Sequence, residues 1–315
     1  MAIDDTAFPE DEELTAIAIA YKNPDTAFVA DEVFPRKQVG EDKFTWTKYD
    51  DARGFSVPDT RVGPYDKVPQ IKLTGTPVSD RCEDFGIQIP LSQKDLSSKV
   101  DARGQATEQA TNIVMLDREV RAAALAFGAG NYPAANKVDL STDLGNGAGA
   151  DAFDAAGSDP IALILEYLDN CWMRPNNLLI SQAGWSKMRV NEAVVSAALG
   201  NSGTKGAATR QRVAELLELQ NVYVGAGWVN SVKPGKTPVL NRVWGPHALA
   251  FYRDRSVTTA GGLTFGLTAQ HGTRVAGSKQ VDMGLRGGVV VRGGESVKEV
   301  IVANRAAMLF QNVVS

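Results

Sequence analysis

Histidine and cysteine are nearly missing from this 315-residue chain, which has two of each. His247 and His271 have no second histidine at helical spacing, and Cys82 and Cys171 form no CxxC or Cys/His cluster. A zinc site of the usual spacing is thereby excluded, and the two isolated cysteines suit a reducing compartment. No nucleophile elbow and no Walker-type phosphate loop occurs. Gly145, Gly147 and Gly149 alternate without a preceding strand, and Lys205 sits in a polar loop between Gly203 and Gly206. Long apolar runs are absent too, so nothing approaches the roughly 18 residues that span a bilayer. The acidic start lacks the basic and apolar regions of a signal peptide. Carboxylates are common, but no spacing singles out a catalytic pair. The expectation is a non-enzyme with no cofactor, no metal and no membrane partner, its histidines lying at a surface or an interface.

What is present is an ordinary soluble composition, 43% apolar and 22% charged, enough for a sizeable core and about two domains. The formal charge of −4 is uneven. Residues 1–60 hold 14 acids and 6 bases, which leaves the remainder at +4, and the first 13 residues hold six acids and no base. Such an arm is either a solvated tail or a segment that docks on a basic strip of a neighbouring copy. A chain of this net charge is a poor sequence-independent binder of nucleic acid.

Residues 13–21 favour a short helix ended by Asn23-Pro24, followed by an extended segment from Phe28 to Pro35. Phe44–Tyr49 and Val68–Leu73 alternate apolar with polar and predict a long hairpin with a Gly- and Pro-rich tip, only marginally stable without a partner surface. Phe85–Pro90 reads as a strand. A helix is predicted over about 92–127, with Ile113, Leu116, Val120, Ala124 and Phe127 inward and Asp117, Arg118, Glu119 and Arg121 on the other faces. Residues 129–157 read as a loop. Asp159-Pro160 starts a helix, Asn177–Ile180 is a strand, and Ser181 caps a helix carrying Trp185 and Met188. A further helix at about 208–219 and strands at Val222–Val224 and Ala248–Tyr252 follow. The tail predicts strands at Leu263–Leu267, Val289–Arg292, Val297–Val302 and Ala307–Phe310. Helices and strands mix without strict alternation, so the fold class is α+β.

Trp172, Trp185, Trp228 and Trp244 fall in or beside predicted core elements. Trp46 lies on the hairpin, where it is either core or an aromatic anchor for a neighbouring subunit. Tyr49 and Phe55 join it as candidate inter-subunit contacts. Arg253, Arg255 and Arg286 are the basic candidates for receiving acidic arms.

The segments Ala20–Pro24 and Ala30–Pro35, with the aromatic strand Phe44–Tyr49, resemble the start of tailed-bacteriophage major capsid proteins. The likeness continues in order through Asn177–Ile180 with Trp185, Val222–Gly225, Trp244–Pro246 with Ala248–Phe251, Gly287–Arg292 and Ile301–Ala303. It spans nearly the whole chain, carried by order and spacing rather than by one strong motif. The resemblance implies the Hong Kong 97-type fold: an N-terminal arm at 1–43, an extended E-loop at 44–91, a peripheral domain with its spine helix at 92–157, an axial domain at 158–285, and closing strands at 286–315 that return to the peripheral domain. It implies a head shell built from hexamers and pentamers of this chain around double-stranded DNA contacted non-specifically. The shell would be assembled in the bacterial cytoplasm, with a portal protein at one vertex and a decoration protein as an optional partner. No long scaffolding segment precedes the arm, so a separate scaffolding protein is expected, and no Lys/Asn pair matches a crosslink. An encapsulin-like compartment, a small-molecule α+β enzyme, and a decoration or tail-tube protein are the alternatives. The long helix speaks against the last.

Overall fold

The computed structural model describes residues 28–48, 57, 59–63, 67–68, 76–98, 101–200, 206–232, 236–237, 239–256 and 262–314. The expected helix at 13–21, most of the expected strand Val68–Leu73, and both Tyr49 and Phe55 lie outside the described residues.

Two sheets carry the fold. The first joins β1 (Arg36–Val39), β11 (Gly266–Val281), β12 (Gly288–Ile301) and β4 (Glu83–Ser92), in that spatial order. β11 and β12 form one long antiparallel hairpin with a register shift after His271, and β1 adds in parallel at the edge. The tail was expected to hold shorter, separate strands. Ladders on both sides of β12 carry it straight through Gly293-Gly294. Glycine lets the helix lie close here, since a Cβ at Gly293 would stand 3.2 Å from the Cβ of Ala110 on the crossing helix.

That helix is α3 (Ala102–Ala126), preceded by the separate short α2 (Gln93–Ser98). The single helix expected over 92–127 is thus two. Asp101, in the left-handed region at φ 52°, caps α3 by accepting from Gly104 N. The inward face also differs from the expected stripe. Ala102, Ala106, Ala110, Val114, Ala122 and Ala126 are buried, whereas Ile113 is exposed. Small residues let the helix lie close on a glycine-bearing sheet, and the bulky stripe would hold it away.

The second sheet orders β5 (Lys137–Asp139), β13 (Ala307–Gln311), β10 (Ala248–Phe251), β6 (Asn177–Ser181) and β7 (Asn221–Gly225). On one face Leu178, Ile180, Ala250 and Phe310 pack with α4 (Pro160–Leu168), α5 (Gln182–Met188), α6 (Glu192–Leu199) and α7 (Arg210–Leu216). On the other, Leu179, Leu249, Phe251 and Leu309 meet α3 and the N-terminal segment. Burial on both faces is why these strands read as unbroken apolar runs. Asp159 caps α4 and Ser181 caps α5, as their spacing predicts. α6 is an addition, begun by Asn191 accepting from Ala193 N and Val194 N. Residues 129–157, expected as loop, contribute β5 and the buried Tyr132, Leu140 and Phe153.

Two local expectations are corrected near the N-terminus. Phe28–Pro35 is not extended throughout, because Ala30–Val33 forms the one-turn helix α1. β2 (Lys43–Lys48) pairs with β3 (Thr76–Arg81), not with Val68–Leu73. This register sets Trp46 opposite Val78 and delivers Phe44 and Trp46 to a core with Cys82, Leu267, Ala269 and Val300. β4 and β11 belong to the first sheet, and β13 sits inside the second instead of returning to the first. Both cysteines are free, and burial pushes the Cys171 thiol up to about 12.

Candidate functional site

The densest polar constellation surrounds residues 29–36, where α1 and β1 enter between the two sheets. Arg118 and Glu119 of α3 are 0% and 1% exposed, although their sequence context predicts a solvated face. Glu119 Oε1 accepts from Val29 N at 2.6 Å and from Trp244 Nε1 at 2.5 Å, and its Oε2 accepts from Ala30 N at 2.9 Å. Arg118 donates to Asp31 Oδ1 at 2.7 Å, to the Phe34 carbonyl at 3.2 Å and to Thr268 Oγ1 at 3.0 Å. Arg36 pairs with Asp31 at 2.8 Å and with Glu295 at 2.7 Å, and Arg274 reaches the same Glu295 at 3.0 Å. Each buried charge therefore has several partners, the condition under which burial is tolerated. Close packing fixes the geometry. A Cβ at Gly266 would come 2.5 Å from Cε1 of Phe34, and one at Gly225 would come 2.3 Å from Cδ1 of Trp244.

Titration behaviour follows from these contacts. Burial raises the Asp31 carboxyl, but Arg118 and Arg36 outweigh it and hold it below its ordinary value. Burial likewise raises Glu295, and Arg36 and Arg274 bring it below. For Glu119 burial wins over its three donors and Arg118, and its carboxyl is raised.

The sequence-predicted contact residues divide. Trp46 is only 7% exposed and packs in the chain's own core, the first of the two readings its sequence position leaves open. Arg253 is not available to a neighbour's arm either. It holds this chain's own Glu32 at 2.5 Å, donates to the Glu32 carbonyl and to Tyr223 Oη at 2.7 Å each, and is 8% exposed. Arg255 is exposed yet also reaches Glu32 at 2.7 Å. The structure thus brings Arg253 and Arg255 together around one acid of the N-terminal segment. Arg286 lies apart, on an open polar cleft of about 800 Å³ with Asp101, Arg103, Gln280 and Asp282.

Trp185 and Trp244 are core, but Trp228 is 51% exposed beneath the guanidinium of Arg242, 3.7 Å from its ring. It lies on a short hairpin of β8 (Trp228–Asn230) and β9 (Leu240–Arg242), beside the exposed Leu240. Leu285, 99% exposed between Gly284 and Gly287 at the tip of the β11–β12 hairpin, was likewise missed. The Met-Gly-Leu-Arg-Gly-Gly turn was its only sequence signal. The ionic hub had none beyond a run of Ala and Thr at helical spacing on α3. Among the described residues, no cluster of three or more His, Cys, Asp or Glu could hold a metal ion, and no helix is long and apolar enough to cross a membrane.

No protein-family model matches the sequence. The chain is 42% identical over 312 residues, 98% of each chain, to the major capsid protein of Pseudomonas phage JBD67. It is 24% identical over 265 residues, 77% of this chain and 76% of the other, to the major capsid protein of Burkholderia phage BcepMu. Among solved structures, a phage-related protein from Bordetella bronchiseptica RB50 superimposes with a TM-score of 0.71 at 18% identity, covering 98% of both chains. The capsid of cyanophage P-SCSP1u superimposes with a TM-score of 0.56 at 12% identity, covering 93% of this chain and 90% of that one.

Proposed function

Because this chain belongs to the major capsid proteins of tailed bacteriophages, built on the Hong Kong 97-type fold, we propose how its parts divide the work of forming the phage head. The observation that carries the function is the 42% identity to a phage major capsid protein over 98% of both chains. The protein is a structural component of the virion that assembles with copies of itself into a shell.

In our reading the four-stranded sheet with α3 is the peripheral domain, and the five-stranded sheet with its helices is the axial domain. Residues 1–27 continue the N-terminal arm, and the excursion from β2 to β3 is the E-loop. Hexamers and pentamers close the shell through many moderate contacts. About 1,600 Å² is standard for one specific interface, and simultaneous engagement multiplies its effect. Exposed Trp228 and Arg286 are the contact candidates this surface favours, since tryptophan and arginine are enriched among the residues that carry interface energy, with exposed Leu240 and Leu285 beside them. A separate scaffolding protein, a portal at one vertex and double-stranded DNA contacted through its backbone complete the partners, and the chain itself needs no catalytic group.

The test is expression of the chain, alone and with its phage's neighbouring head proteins, followed by negative-stain electron microscopy. Closed shells or rings of five and six are expected. A uniform monomer under every condition would overturn the reading, and shells filled with a protein cargo in place of nucleic acid would favour an encapsulin-like compartment.

A further inference from the structure

Residues 29–36 form a short segment whose polar handles run to separate parts of the molecule. Val29 N and Ala30 N go to Glu119 on α3. Asp31 goes to Arg118 on α3 and to Arg36 on β1. Glu32 goes to Arg253, just past β10 of the second sheet. The Phe34 carbonyl accepts from Arg118 and from Thr268 Oγ1 of β11 in the first sheet. Arg36 reaches Glu295 of β12. The apolar side chains follow the same pattern, with Val33 and Phe34 in one core with Ala122 and Ala126 of α3, Phe251 of β10 and Leu309 of β13. Glu119 stands at the centre, because its third donor is the indole of Trp244, which packs against Gly225 of the second sheet.

We propose that residues 29–36 are a latch that holds the two sheets and α3 in one relative placement and fixes the point from which the acidic arm leaves the subunit, with Glu119 as its positioning residue. A segment that served only to fill the core would need its apolar side chains alone. Here two consecutive backbone N–H groups are caught by a carboxylate that is itself buried, an arrangement whose desolvation is fully compensated only while the segment is seated. Unseating residues 29–36 takes two of its three donors from Glu119 and takes the Asp31 carboxylate and the Phe34 carbonyl from Arg118, so the contacts that hold the segment are lost together. The consequence for assembly rests on the shell reading above: the direction of the arm and the setting of the two domains are coupled through one carboxylate.

The test uses the full chain carrying Glu119→Gln, which replaces one acceptor oxygen by a donor facing a backbone N–H or the indole. A second variant, Asp31→Asn, weakens the hold of Arg118 and Arg36 from the half-exposed rim, so a Glu119 variant that fails to fold does not stop the experiment. Hydrogen exchange is measured peptide by peptide on unassembled subunits. In at least one folded variant, exchange over 28–36 is expected to quicken at least tenfold while β6, β10 and β13 keep wild-type protection, and the same variant expressed in cells is expected to yield open or misshapen assemblies where wild type closes. Wild-type exchange over 28–36 in the folded variants would overturn the proposal. So would a parallel rise in the central strands, or local release with normal shells. Wild-type chain that never forms shells would count against the capsid function alone, since the exchange experiment reads the latch without assembly.

Discussion

Arg118 shows how strongly a single buried charge is committed. Its guanidinium serves a carboxylate, a carbonyl and a hydroxyl, and its Nε stands 3.5 Å from Glu299. Replacing it with methionine keeps much of the volume but leaves Asp31 and Glu299 without that cation. Removing one partner from a buried ionic group costs about 3–5 kcal/mol, and a urea titration of the unassembled subunit should show a midpoint lowered to match. Gly266→Ala tests packing at the same place. The new methyl would meet Cε1 of Phe34 at 2.5 Å and the Val300 carbonyl at 2.8 Å, an overpacking expected to cost about 1–3 kcal/mol.

Acid should act on the same residues with a defined sign. Asp31, Glu32 and Glu295 are held below their ordinary values of 3.8, 4.5 and 4.5. Stability from depressed carboxyls is fully present above the ordinary values and is lost as pH falls through the lowered ones. Glu119 runs the other way: its raised carboxyl penalises the folded state at neutral pH, and that penalty is relieved as it protonates. The carboxylate contribution to thermal stability of the unassembled subunit is therefore expected to fall below about pH 4.5, the ordinary glutamate value. Glu295→Gln should flatten that acid limb, and an acid limb of unchanged slope would contradict the assignment.

At the scale of elements, local chemistry and tertiary demand separate cleanly. α4 begins where it does because Asp159 accepts from Ile161 N and Ala162 N with Pro160 opening the helix, and Asp159→Ala should lower stability by about 1 kcal/mol in the same urea experiment. α5 and its capping serine obey the same local rule. α3 does not. Ile113 and Ala124 of its expected stripe face solvent, and an Ala face carrying Arg118 and Glu119 points inward. Periodicity identified the helix but not its buried side, because what decides the side is the close approach of Ala110 to Gly293 and the carboxylates on α1 and β12 that meet Arg118. The β2–β3 pairing is similar. Alternation marked Phe44–Tyr49 as a strand, yet its partner was decided by which register lowers Trp46 into the core above Ala269.

For the whole molecule, the latch alters how the arm should be tested. Deleting residues 1–30 would remove the two N–H groups bound by Glu119, confounding loss of the arm with loss of the latch. Deleting residues 1–27 spares them. That truncation is expected to leave the subunit folded, with wild-type melting behaviour, and to block shell closure when particles are imaged. Normal shells would show that the arm is a solvated tail.

The α+β class, the helices capped by Asp159 and Ser181 and the buried strands of the second sheet were fixed by residues close to one another along the chain. Turn, cap and alternation signals act over a few residues, so they survive in the sequence as legible patterns. Tertiary structure alone decided that Arg118 and Glu119 are interior, that Arg253 and Arg255 bind Glu32 of their own chain, that Trp46 is core while Trp228 and Leu285 are surface, and that β13 joins the second sheet. The burial of Glu119, Arg118 and Arg253 depends on groups more than 80 residues apart meeting at hydrogen-bond distance. A charge is buried only where distant partners together repay its desolvation, and no local pattern records that sum.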